Sequence, residues 1–160
     1  MTADFHGLLS TLKAHEVAFV VIGGAALVLH GSARSTQDLD ICYDRERSNL
    51  LRLAEAIAPL RPRLRDAPVE LPFRLDEAAL RSGLNFKLTT DLGDLDLLGE
   101  VAGIGGYSVL HATATVLPLY GVTVEVMDLD SLERAKAAAG RLKDVLDIAE
   151  IRLLRARQPN

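Results

Sequence analysis

Asp38 and Asp40 alternate with Leu39 and Ile41 in the run Asp38-Leu-Asp-Ile-Cys-Tyr43. In an extended strand this alternation sends both carboxylates to one face, about 6.5 to 7 Å apart at Cα, and both aliphatic side chains to the other. The strand then packs on Leu39 and Ile41 while the aspartates present an all-oxygen donor set, the kind a hard divalent cation takes. Upstream, Gly23 and Gly24 follow the apolar run from Phe19 to Ile22. Without a Cβ the backbone can turn tightly there, and free N–H groups at the start of the next helix can face an anion. Downstream, in Gly93-Asp-Leu-Asp-Leu-Leu98, Asp96 sits between Leu95 and Leu97 and is the acidic residue best placed inside a strand. Asp94 has the same parity, lies nearer the turn and is the alternative. A further Asp-Leu-Asp, Asp128 to Asp130, opens a helical pattern, and helix capping accounts for it.

The elements that must hold these groups follow from periodicity. Phe5, Leu8, Leu9 and Leu12 recur at helical spacing behind Asp4, which is placed to cap. Ala18 to Ile22 is uniformly apolar and reads as an interior strand. Ala25 to His30 is a short helix stopped near Gly31, with His30 a packing or dipole partner. A helix is expected from about Glu46 to Pro59, and Arg61 to Phe73, rich in proline and charge, reads as a surface loop or mobile flap. Asn85 to Thr90 and Leu95 to Leu98 form consecutive strands joined at Asp91-Leu-Gly-Asp94. Gly99 to Gly106 is a flexible loop, and Val116 to Tyr120 and Val122 to Met127 make another hairpin about Gly121. Helical patterning resumes at Leu132, and Lys136 and Lys143 share a face if that helix runs through Gly140.

Composition bounds the class. A chain of 160 residues fits one domain, with enough length to bury about 70% of its unfolded surface. With 49% hydrophobic and 25% charged residues it is neither disordered nor fibrous. A formal charge of −4 argues against a general basic footprint for nucleic acid and leaves room for a local basic strip. The lone Cys42 rules out an intramolecular disulfide and fits a reducing compartment, and a buried filler is its expected role. No apolar run reaches the roughly 18 residues that span a bilayer. The expectation is a cytoplasmic protein with no membrane partner.

The Gly-Gly turn, the helix after it, Arg34-x-Thr36 and Asp-x-Asp on a strand together resemble the nucleotidyltransferase superfamily with the polymerase β-like core. Within it the pattern is most similar to the AbiEii-like toxins of abortive-infection and toxin–antitoxin systems, and the likeness extends to Leu97 and, more loosely, to the C-terminal helices. Gly24 stands where many members carry serine, and the interval from Ala25 to Gln37 is longer than usual. The resemblance implies an α/β (α+β) fold, a mixed β-sheet flanked by helices in one minimal nucleotidyltransferase domain spanning residues 1–160. It implies that Asp38, Asp40 and Asp96 are the catalytic carboxylates and hold Mg²⁺, as one or two ions. Gly23, Gly24, Arg34, Thr36, Lys136 and Lys143 would contact the phosphates of an NTP, ATP among them. The activity implied is NMP transfer to a hydroxyl of tRNA or protein in a toxin role, with an antitoxin partner.

Other chemistries fail on spacing. There is no Gly-x4-Gly-Lys-Ser/Thr loop, no zinc-type Cys/His cluster and no His-Glu-x-x-His. Cys42 and Tyr43 occupy positions where an EF-hand needs a ligand and glycine. Three readings stay open beside the toxin-type enzyme: a small-molecule (antibiotic) nucleotidyltransferase, a non-catalytic nucleotide-binding module, and a structural protein whose aspartates merely end strands.

Overall fold

The computed structural model describes residues 2–158. The Asp4 carboxylate accepts the Gly7 N–H at 2.9 Å and caps helix α1 (Phe5–Ala14), whose Leu8, Leu9 and Leu12 are fully buried. The chain continues through β1 (Phe19–Val21), α2 (Gly23–Leu29), β2 (Asp38–Tyr43), α3 (Arg47–Ile57), a 3-10 turn (Ala58–Leu60) and β3 (Arg63–Leu64). Next come α4 (Glu77–Ser82), β4 (Asn85–Thr90), β5 (Gly93–Leu98), the short β6 (Glu100–Val101) and β7 (Gly105–Gly106), and α5 (Tyr107–Thr113). The hairpin β8 (Thr115–Leu119) and β9 (Val122–Val126) leads into α6 (Leu129–Ala139) and α7 (Leu142–Arg157).

Seven strands form one mixed sheet in the order β3-β4-β5-β2-β1-β9-β8. The central pair positions the site: β2 and β5 run parallel, with Asp38 opposite Asp94, Leu39 opposite Leu95, Asp40 opposite Asp96 and Ile41 opposite Leu97. Residues opposite one another in register point to the same face, so four aspartates line one face and four aliphatics the other. Leu39, Ile41, Leu95 and Leu97 are all fully buried, in one core with Leu50, Leu53 and Ile57 of α3. Each such side chain stabilises the fold by about 1.5–3 kcal/mol relative to exposure, so the register is held by the core. A one-residue slip would bury the carboxylates instead. Buried Asn49 ties α3 to the sheet, its amide oxygen accepting Ala18 N–H at 2.7 Å and its NH₂ donating to the carbonyls of Ala18 and Asp44.

The mixed sheet flanked by helices matches the fold expected from the sequence. Three local readings change. The condition on which Lys136 and Lys143 would share a helix face is not met: Gly140 adopts φ +66°, and Arg141 and Asp144 cap a new helix, α7. Lys136 and Lys143 therefore belong to different helices, because a glycine in the left-handed region ends the first one. The Gly99 to Gly106 stretch is not wholly a loop, since β6 pairs with β7, Glu100 opposite Gly106 and Val101 opposite Gly105, whereas Asp128 caps α6 as expected, accepting from Ser131 N–H. The Arg61 to Phe73 stretch is not wholly a loop, since β3 pairs with β4 and Arg65 N–H continues the ladder to the Lys87 carbonyl at 2.8 Å.

Candidate active site

The chain leaves β1 and turns at Gly23, where φ is +63°. A Cβ on Gly23 would lie 2.9 Å from Asp40 Oδ2, so backbone conformation and space both demand glycine. A Cβ on Gly24 would lie 3.3 Å from Thr36 Oγ1, and Thr36 in turn donates to the Asp38 carbonyl at 3.3 Å. The glycine turn, the Thr36 hydroxyl and the first half of β2 are thus packed against one another.

One carboxylate oxygen from each of Asp38, Asp40 and Asp96 lies within 4.8 Å of the others, a spacing that one metal ion can bridge. Asp94 stays outside this triad: it accepts the Thr89 hydroxyl at 3.1 Å and faces Arg65. The electrostatics are those of crowded acids. Burial first, then the Asp96 and Asp38 charges and a hydrogen bond with Asp96, push Asp40 up to about 7. Asp38 is also raised, by burial and Asp96, against the opposing pull of Arg65. A cation placed here relieves that repulsion.

Beside the triad lies a cavity of about 340 Å³. Gly23, Gly24, Arg34, Thr36, Asp38, Asp40, Lys136 and Lys143 all line it, so the residues singled out from the sequence, Asp96 apart, share one pocket. Two buried acids of α7, Asp144 and Asp147, hold two of its three cations, Lys136 and Arg34. Lys136 Nζ stands 3.0 Å from Asp147 and 3.7 Å from Asp144, and Arg34 pairs with Asp147 and with Glu150 at 3.3 Å. Burial brings the Lys136 ammonium below its ordinary range despite Asp144. Asp147 was not singled out from the sequence. A signal existed in its spacing from Asp144 on one helix face, but only the fold shows what it faces.

The other unanticipated residue is Arg65. Its guanidinium lies 2.7 Å from Asp96 Oδ1, 3.3 Å from Asp94 Oδ2 and 3.6 Å from Asp38 Oδ2, and Nη2 also donates to the Leu88 carbonyl at 2.7 Å. Arg65 borders a second cavity, of about 310 Å³, with Arg63, Leu64, Val69, Leu71, Phe73 and Thr89. Arg65 therefore joins the carboxylates to a cavity that shares no lining residue with the first. The remaining residues weighed from the sequence are structural: His30 Nε2 pairs with the Met127 carbonyl, and Cys42 is buried with its thiol pushed up to about 12. No helix among the described residues is long and apolar enough to cross a membrane.

No protein-family model matches the sequence, and no curated protein matches it. Solved structures do match in shape. The lincosamide antibiotic adenylyltransferase LnuA, solved with lincomycin bound, superposes with a TM-score of 0.63 at 12% identity over 96% of this chain and 99% of its own. A putative nucleotidyltransferase from Thermotoga maritima gives 0.56 at 17% identity, covering 94% and 89%. ANT(2")-Ia in complex with adenylyl-2"-tobramycin gives 0.54 at 16% identity, covering 94% and 92%. Near-complete coverage of both partners extends the likeness from the sheet to the helices around it, and the chain has the nucleotidyltransferase fold.

Proposed function

We propose that residues 1–160 act as one magnesium-dependent nucleotidyltransferase domain that moves an NMP unit from an NTP to a hydroxyl acceptor. The observation that carries this reading is the meeting of Asp38, Asp40 and Asp96 beside a cavity that also holds the glycine turn and three cationic side chains. The donor set fits magnesium, being all carboxylate oxygen. When bound, the ion supplies charge that offsets the triphosphate and the transition state at the α-phosphorus. The protein's own groups do the rest. Gly23 and Gly24 let the chain approach the outer phosphates, and Thr36, Arg34, Lys136 and Lys143 supply donors. Asp144 and Asp147 keep Lys136 and Arg34 aimed into the cavity. The acceptor oxygen bonds to the α-phosphorus while the bond to the bridging oxygen of the β-phosphate breaks. Pyrophosphate leaves, and the hydroxyl proton passes to Asp96.

For the acceptor, the sequence resemblance favours tRNA or protein in a toxin-type role restrained by an antitoxin, which places the enzyme in the cytoplasm. A second reading, a small-molecule hydroxyl, is favoured by LnuA and ANT(2")-Ia, which this chain matches over 99% and 92% of their lengths. The test is incubation with each α-labelled NTP and Mg²⁺, in one arm with cell extract and in another with an antibiotic panel. Labelled product lost in Asp96→Ala is expected. Nucleotide binding without a labelled product in either arm would instead identify a non-catalytic module.

A further inference from the structure

Arg65 is the charged group of the centre to which nucleotidyl transfer, as described above, gives no role. Its position is built from two sides. The main chain is pinned by Arg65 N–H to the Lys87 carbonyl, and the side chain by the Leu88 carbonyl and three carboxylates. Only 19% of the side chain is exposed, so this is no surface ion pair.

We infer that the Arg65 guanidinium occupies the place of a second divalent cation, so that the centre works with a single metal ion. The inference rests on the nucleotidyl-transfer reading and deepens it. In a two-cation centre the ions stand about 3.5–4 Å apart and share carboxylates. Here Asp96 is the member of the triad that Arg65 occupies most closely, its Oδ1 already accepting an N–H of Nη2 at 2.7 Å. Asp94 and Asp38, the other oxygens on that side, face Nε and Nη1 of the same group. A second ion would have to displace an arginine held by two backbone carbonyls, that of Lys87 accepting its main-chain N–H and that of Leu88 accepting from Nη2, as well as by charge. Arginine suits the task because its guanidinium is planar, permanently charged and forks across several carboxylates.

The position also has a consequence for chemistry. Arg65 borders the 310 Å³ cavity, which shares no lining residue with the proposed nucleotide pocket, and an acceptor seated there would meet the carboxylates past this guanidinium. There its charge stabilises the developing alkoxide as the O–H bond breaks, while Asp96 receives the proton. Arg65 gives up no proton and forms no covalent bond in the step.

The experiment counts Mn²⁺ ions bound per chain by EPR titration with an α,β-methylene NTP analogue present. One ion is expected for the wild type and for Arg65→Lys, and two for Arg65→Met, whose kcat with Mg²⁺ falls about 10²–10³-fold, as on loss of one preorganised donor. Two ions in the wild type, or one ion and unchanged kcat in Arg65→Met, overturns the inference. If Arg65→Met fails to fold by circular dichroism, the wild-type and Arg65→Lys counts decide. Two ions alongside a labelled transfer product would sink this inference alone, whereas neither bound ion nor labelled product would sink the nucleotidyl-transfer reading with it.

Discussion

Replacing Gly23 by alanine tests the glycine turn and the carboxylates in one experiment. The residue sits at φ +63°, where an L side chain costs about 1–2 kcal/mol. Alanine recovers about 0.4–1 kcal/mol by stiffening the unfolded chain. The new Cβ would also stand 2.9 Å from Asp40 Oδ2, so the carboxylate must rotate away by several tenths of an ångström. The net loss of metal-free stability is therefore about 1 kcal/mol, which for a chain of this length lowers Tm by about 2–4 °C. A second loss shows only with ligand present. With Asp40 turned away, Mg²⁺ and NTP bind at least about tenfold more weakly, which removes about 1.4 kcal/mol of the stabilisation they give the folded state. Differential scanning fluorimetry with and without Mg²⁺ and a non-hydrolysable NTP reads both terms. Gly24→Ala is the internal control: its φ is not positive and its Cβ would meet only Thr36, the hydroxyl at 3.3 Å and Cβ at 3.7 Å, so Tm should move by no more than about 2 °C. If Gly23→Ala melts like the wild type with its ligand shift intact, or Gly24→Ala proves equally damaging, the reasoning about this turn is refuted.

Three further outcomes follow from the same structure. Asp40 stands at about 7 in the folded protein against an ordinary carboxylate near 3.8, so the unfolded chain gives up its proton first as pH rises. Its contribution to metal-free stability is therefore complete below pH 4 and is lost between about pH 4 and 7. Urea melts at pH 5 and 7.5 should show wild type losing more stability over that interval than Asp40→Asn, and parallel behaviour would contradict the assignment. Leu95→Ala, at a fully buried position in the β2–β5 register, should cost about 2.5–5 kcal/mol in urea melts. A loss under 1 kcal/mol would mean that the core does not hold that register. Asp147→Asn releases Lys136 and Arg34 from a common partner, so KM for NTP should rise about tenfold, equivalent to about 1.4 kcal/mol, with a smaller change in kcat. An unchanged KM with halved kcat would argue that Asp147 does not position these cations.

What could be read from the residues alone was local. The alternation from Asp38 to Ile41 specifies a strand and commits both carboxylates to the face opposite the core, because side-chain direction in a strand depends only on parity. Gly23 after an apolar run marked the turn for a similar reason: few residues other than glycine take positive φ. The hairpins about Gly93 and Gly121 and the caps at Asp4 and Asp128 were equally local, with each signal within a few residues of the feature it marks.

Contacts between distant segments were decided only by the folded chain. Parity allows either Asp94 or Asp96 to join Asp38 and Asp40, and it is the parallel β2–β5 register together with Arg65 and Thr89 that draws Asp94 aside. Lys136 and Lys143 reach one cavity from two helices rather than along one face, since Gly140 breaks the helix between them. Arg65, 31 residues from Asp96 in a proline-rich stretch, carried no periodicity to mark it. The sequence by itself determined which faces of the strands are polar and where the chain turns, because sterics and side-chain alternation act between neighbours. Which charges meet was left to tertiary structure, since Coulomb attraction depends on distance in space, and that distance exists only once the core has set the register.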